Sequence, residues 1–331
     1  MTALKERLKT PQTAPYPGAH LGLTWRAARP SDEQLVYDFI AACENSEGAI
    51  RNTSRAQISA MVTPSRAVDA LLGFTPGGEL ATFAAVEVEE GNEDVARAGI
   101  FASVDPTWRG LGIGRAVLLW QDARARQLLT AVYGADAQIP ASIYNIVESR
   151  QVDRRRMYIA GGFSAKAELV ALTRDLSAPL SRIYYEGGHT VSAASLQYDA
   201  LERLVKTGTS SKAATKAQVV RWLRQLYYEM DHDLSKVMVA DGPIAAILAV
   251  RPQTPFIEDA DVHCRIVAAD TNARSAVVGA LMGEIGTVAA ASGVRSLSLE
   301  VESEADWVID PLVQMHGFIE VGRRKLYAIE F

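Results

Sequence analysis

The sequence predicts a mixed α/β protein built from two related halves, and three observations carry that reading. Residues 98–120 pass from an apolar strand ending at Val104, through a glycine-rich loop, into an amphipathic helix with Ile113, Val117 and Trp120 on one face. Strand-like and helix-like patterns alternate on both sides of this stretch, over 21–177. A Gly-Phe pair closes a helical run twice, at Gly162-Phe163 and at Gly317-Phe318, which reads as an internal duplication.

In chain order, 21–28 reads as a strand. Ser31 offers a helix N-cap, and Gln34 completes a capping box for a helix carrying Leu35, Phe39 and Ile40. A polar stretch with Glu44, Glu47, Arg51 and Arg55 leads into a second short helix ending at Met61. Strands follow at 67–74, 80–88 and 95–104, joined by the turn Thr75-Pro-Gly-Gly78 and a polar connection over 89–94. The helix after the glycine loop runs to about Val132. A strand at 138–144, a helix at 148–160 closed by Gly161-Gly162, and two strands or one bent strand at 163–176 complete the first half. Residues 177–181 read as a linker. The second half shows helices at 192–205 and 212–230 and strands at 237–240, 244–250 and 262–268. A helix at 274–291 carries Val277, Leu281, Ile285 and Val288 as a core stripe. A strand at 297–301, a helix at 305–316 and a last strand at 326–331 end the chain. The expected division is an N-terminal arm at 1–20, a first domain at 21–177 and a second at 178–331.

A chain of 331 residues, 48% hydrophobic, is long for one domain and rich enough for two buried cores. Its net charge of −5 argues against nucleic-acid and anionic-membrane partners. The longest basic run, Arg154 to Arg156, is short. Cys43 and Cys264 are the only cysteines, so neither a disulfide framework nor a cysteine metal site is expected. His20, His189, His232, His263 and His316 show no metal-ligand spacing. The first 20 residues lack the apolar core of a signal peptide, and no apolar run is long enough to span a bilayer. The expectation is a soluble, cytoplasmic protein, and a homodimer is compatible with it.

The loop is where chemistry is expected. The first turn of a helix presents N–H groups with no internal partner and a partial positive charge. Gly110, Gly112 and Gly114 clear side chains from that backbone, and Arg109 and Arg115 add positive charge on either side. Together these make a cradle for a diphosphate. It is not a P-loop, because Arg115-Ala116 stands where Lys-Ser/Thr is required. Its G-x-G-x-G spacing also departs from the dinucleotide fingerprint.

The segment Arg109-Gly-Leu-Gly112-Ile-Gly114 resembles motif A, R/Q-x-x-G-x-G/A, of the GNAT superfamily of N-acetyltransferases. Val104 and Pro106 ahead of it, and the order of elements over 21–177, agree with that resemblance. Tyr158-Ile-Ala-Gly-Gly162-Phe163 is similar to the Y-x-x-x-G-F that ends the family's fourth helix. The resemblance implies that Val104, Arg109, Gly110, Leu111, Gly112, Ile113, Gly114 and Arg115 hold acetyl-CoA, with its pyrophosphate in the loop. It implies a splay between the fourth and fifth strands, where pantetheine pairs with the edge of 101–104. It implies Tyr158 as the acid for the leaving thiolate. No metal is implied. The strand at 95–104 lacks the carboxylate that many members use as a base, which leaves Glu79 and Glu87 as candidates, each also readable as a solvated charge. The expected activity is acetyl-CoA-dependent N-acetylation of an amine on a small molecule or peptide. The alternative is a non-catalytic acyl-CoA-binding sensor or scaffold.

The second half resembles a degenerate copy in a tandem GNAT layout. Asn272-Ala-Arg-Ser-Ala-Val277 replaces the glycine loop, and Val313 stands at the place of Tyr158. This half is expected not to bind acetyl-CoA productively, and to serve the structure or wall the acceptor site.

Overall fold

A computed structural model describes residues 2–178, 180–208, 213–251, 257, 260–268 and 273–331. The chain forms two compact units, Met1–Lys166 together with Leu326–Phe331, and Ala167–Lys325.

The first unit contains α1 (Leu4–Leu8), β1 (Thr24–Ala27), α2 (Glu33–Glu47), α3 (Arg55–Met61), β2 (Val68–Phe74), β3 (Leu80–Val88), β4 (Ala96–Val104), α4 (Ile113–Tyr133), β5 (Ala141–Glu148) and α5 (Val152–Ala160). Strands β1 to β4 pair antiparallel in order, and β5 pairs parallel to β4. Alternation along the strands builds two cores. Ala84, Val86, Ala98 and Ile100 face Ile113, Val117 and Trp120 of α4. Phe83 and Ala85 face Val36, Ile40 and Ile58 of α2 and α3. The Ile113–Val117–Trp120 stripe is buried as its spacing predicts.

The cap expected at α2 does not form, while α3 carries one that the sequence reading did not single out. Ser54 and Gln57 form a reciprocal capping box at the start of α3. At α2 the Ser31–Gln34 box does not form. The Asp32 carboxylate accepts instead from the Arg29 backbone N–H at 2.8 Å and from the Arg26 fork, with two bonds of 2.7 Å. A carboxylate facing a guanidinium makes the stronger contact, and Gln34 turns to Asp38 at 2.8 Å. The N-terminal arm is strapped down. Leu4 and Leu8 are buried, Arg7 donates to the carbonyls of Phe331 and Ile139, and Arg126 donates to that of Leu8.

The second unit holds most of β6 (Ser164–Asp175), then β7 (His189–Ser192), α6 (Tyr198–Thr207), α7 (Lys216–Glu229), β8 (Lys236–Val239), β9 (Pro243–Val250), β10 (Val262–Ala268), α8 (Arg274–Ala291), β11 (Ser296–Glu302), α9 (Asp306–Asp310) and most of β12 (Ile319–Glu330). Strands β7 to β10 are antiparallel in order, β11 is parallel to β10, and β6 pairs antiparallel with β11. This repeats the first unit element for element, from β1 through α5.

Several expected boundaries move. Residues 163–176 form one strand, because Ser164–Asp175 contains no glycine, proline or asparagine to turn it. The compact units divide inside that strand, at 166/167 rather than 177/178, and the last six residues belong to the first unit. There Phe331 exchanges two backbone hydrogen bonds with Ala141 beside β5. The last strand begins at Ile319, since its charged run is paired, Arg323 with Glu168 and Glu320, and Arg324 with Glu300. A strand at His189–Ser192 precedes α6, which starts at Tyr198. The expected helix at 305–316 is α9 followed by a π-type turn, Pro311–Met315. Among the described residues no helix is long and apolar enough to cross a membrane, and no cluster of metal-ligating side chains occurs.

Candidate functional site

Strands β4 and β5 pair only from Ala96–Ala141 to Gly99–Tyr144. Beyond that row β4 runs on to Val104 and β5 to Glu148 without further pairing. The Ala96 N–H bonds the Pro140 carbonyl on the β5 side. Since backbone groups alternate along a strand, the N–H groups of Ile100, Ala102 and Val104 face the opening. Gln121, buried on α4, ties α4 to the neighbouring β3–β4 pair. Its amide donates to the carbonyls of Ala85 and Phe101 at 3.0 and 2.7 Å.

The opened edge leads, through a 3-10 turn at Pro106–Trp108, to the glycine loop. Gly110 and Gly112 sit at φ of +78° and +86°, a left-handed conformation that side chains disfavour. A β-carbon at Gly110 would meet nothing within 4 Å, so its surroundings are open. Gly112 caps α4 with no side-chain hydrogen bond, which leaves the N–H groups of the first turn for a ligand. Ile113, 1% exposed, anchors the helix start in the core, while Leu111, 58% exposed, turns outward. Gly114 packs near α5, where an added β-carbon would lie 3.2 Å from the Met157 sulfur. Arg115 is exposed and has no polar partner among the described residues. Arg109 is engaged within the protein. Its Nε donates to the Val104 carbonyl at 2.9 Å, and its terminal nitrogen pairs with Glu47 of α2. Glu47 also meets Arg154 at 3.7 Å and accepts from Gln151 at 2.5 Å. Half of the expected positive charge is therefore neutralised, and Arg109 braces the loop against α2 and α5.

Tyr158 is 1% exposed, in edge contact with Phe163 at 5.3 Å and stacked on Tyr327 at 6.5 Å. Burial pushes its phenol pKa above the usual value. Its oxygen accepts a hydrogen bond from the Asn145 amide on β5, so its own proton stays available to donate. Glu87 lies opposite Gly99, which in turn lies opposite Tyr144, in the last paired row before the strands part. Register partners share a face, and this face is the one covered by α2 and α3. Glu79 is exposed at the turn after Gly78. The segment between α2 and α3 is tied down by carboxylates. Glu148 accepts from the Ile50 N–H at 2.7 Å, and Glu44 accepts from the Thr53 N–H at 3.0 Å. Burial raises the Glu44 pKa against the pull of the Thr53 bonds. Cys43 and Cys264 are buried free thiols.

Solved structures share this architecture. A GCN5-related N-acetyltransferase from Sphaerobacter thermophilus superposes with a TM-score of 0.70 at 19% identity, covering 93% of this chain and 95% of that one. A tandem GNAT protein from the clavulanic acid biosynthesis pathway gives 0.61 at 15% identity, over 93% and 98%. Saccharomyces cerevisiae N-myristoyltransferase, solved with myristoyl-CoA, gives 0.56 at 12%, over 97% and 82%. The chain has the tandem GNAT fold. At these identities the likeness is one of fold. The sequence matches no known family profile, and no curated protein is significantly similar to it.

Within the GNAT fold, the loop residues and Tyr158 were legible as motifs, and the residues that hold them were not. Gln121 is a lone amide on an apolar helix face, which is a readable signal. Asn145 and Glu47 carry no local pattern. In the second GNAT-like unit Asn272 lies outside the described residues, so the start of its counterpart loop is not compared. The glycines of α8 serve packing. A β-carbon at Gly283 would sit 2.5 Å from the Ser181 carbonyl oxygen, and one at Gly286 would strike Leu180. Leu312, not Val313, takes the place of Tyr158. It is buried and its carbonyl accepts from the Phe318 N–H at 3.0 Å, as the Tyr158 carbonyl accepts from that of Phe163. Val313 is 41% exposed, because the π-type turn adds one residue before Gly317. No phenol stands there in either register.

Proposed function

We propose that the first unit binds an acyl-CoA, acetyl-CoA in the simplest case, and transfers its acyl group to an amine of a small molecule or peptide. The observation that carries this reading is the continuity of an open strand edge at 100–104 with an uncapped, glycine-lined helix start at 110–114. The residues fit the group: N–H donors and Arg115 face a pyrophosphate, and the β4 edge offers the hydrogen bonds of an added strand to an amide-bearing arm. The bound donor supplies an activated thioester carbonyl. An N–H on the free β4 edge is a suitable donor to that carbonyl oxygen as charge builds on it. Glu87 is the base we assign to take the proton from the attacking amine, directly or through water, since Glu79 sits out at the turn. Tyr158 is protonated at neutral pH and gives its proton to the departing sulfur.

Free thiol released from acetyl-CoA, with the product mass, tests this across small amines, an amino sugar, a peptide N-terminus and a lysine peptide. Amine-dependent thiol release is expected. Tyr158→Phe should lower kcat about 10- to 100-fold with little change in KM for the donor. An unchanged kcat would return Tyr158 to packing. Binding of acetyl-CoA without transfer to any amine would leave a sensor in place of an enzyme.

A further inference from the structure

The second unit repeats the parting of strands and sets a charge in it. Strands β10 and β11 pair only from Val262–Leu297 to Cys264–Leu299. Arg265 and Glu300 are the first residues beyond the last pair, one on each side of the opening. Arg265 shares a face with its register partner Leu248, which packs in the core under α6 and α7. Its guanidinium lies 4.9 Å from the centre of the Trp222 ring on α7, within cation–π range. Arg265 is partly buried and has no hydrogen bond or ion pair among the described residues. A guanidinium carries five N–H donors in a rigid fork. With no hydrogen-bond acceptor among the described residues, these donors remain available to an acceptor from outside the chain. Glu300 acts on Arg265 through its charge alone, because both its oxygens are held by Arg324, one of them by Nε at 2.6 Å. Glu302, further along β11, accepts from the Ala213 N–H at 2.7 Å.

We propose that this opening is a binding site for a monocarboxylate, held by the Arg265 fork with its adjoining carbon skeleton on Trp222. Glu300 is neutralised by Arg324, so the Arg265 fork offers one positive charge at the opening, which suits one negative charge. Glu300 and Glu302 beside the opening disfavour a doubly charged phosphate. The site is separate from the acyl-donor reading and stands without it.

The chain has five tryptophans, so its indole N–H signals in a nitrogen–proton correlation spectrum are few, and Trp222→Phe identifies that of Trp222. Titration of the full chain with benzoate should move the Trp222 signal saturably. Arg265→Gln should weaken the response at least tenfold, and Arg265→Lys, which keeps the charge without the fork, several-fold. Inorganic phosphate at equal concentration should give no saturable shift. Gly112→Val, in the other unit, should leave the benzoate response unchanged. An unmoved Trp222 signal overturns the proposal. So does a response equal in Arg265→Lys, a match by phosphate, or a response lost in Gly112→Val. Should Arg265→Gln fail to fold, the Arg265→Lys titration decides.

Discussion

Gly112 combines two demands that only glycine meets cheaply. Its φ of +86° would cost another residue roughly 1–2 kcal/mol, and its missing side chain keeps the start of α4 open. Asp32 is a different kind of single-residue device. The Arg26 fork first, with the Arg29 N–H assisting, holds its carboxyl below the ordinary carboxylate range against the opposing effect of burial. A group with a depressed folded pKa stabilises the fold fully above its unfolded value of about 3.9, and loses that contribution as pH falls through the folded value. Asp32→Asn should therefore cost about 1–2 kcal/mol in urea unfolding at pH 7. The deficit should shrink on acidification below pH 4. A deficit that stays constant down to pH 2 would mean that the pair does not carry it.

At the scale of elements, what was readable was local. The strand–loop–helix passage at 98–120 shows in glycine spacing and apolar period because both act within a few residues. The same holds for the Gly-Phe endings, where Gly162 and Gly317 adopt φ of +89° and +66°. The parting of β4 and β5 was available only through the family resemblance, since it depends on which strands pair and where pairing stops. Arg109 was read as free charge because its partner, Glu47, lies 62 residues earlier in the sequence, on another helix. Strand β7 has four residues, too few for its alternation to register. The turn at Pro311 fell inside a stretch whose composition is helical, and its extra residue shifted Leu312 into the place read for Val313. At Arg109 a distant partner, and at Pro311 one inserted residue, outweighed the local pattern.

At the scale of the molecule, the first unit depends on residues far away in the chain. The first unit is finished by Leu326–Phe331, where Leu326 and Tyr327 are buried, Tyr327 stacks on Tyr158, and Arg126 lies 4.4 Å over the Phe331 ring. A chain ending at Lys325 should lose on the order of 3–5 kcal/mol, a large share of an ordinary stability margin. Its melting temperature should fall by many degrees. An unchanged melting curve would show that these residues are ornamental to the first unit. The account as a whole rests on the glycine loop taking the diphosphate of an acyl-CoA, and calorimetric titration of the full chain with acetyl-CoA tests that most directly. The predicted result is one-to-one binding that weakens with added salt and falls at least tenfold in Gly112→Val. No heat of binding, or an affinity that Gly112→Val leaves intact, would contradict it.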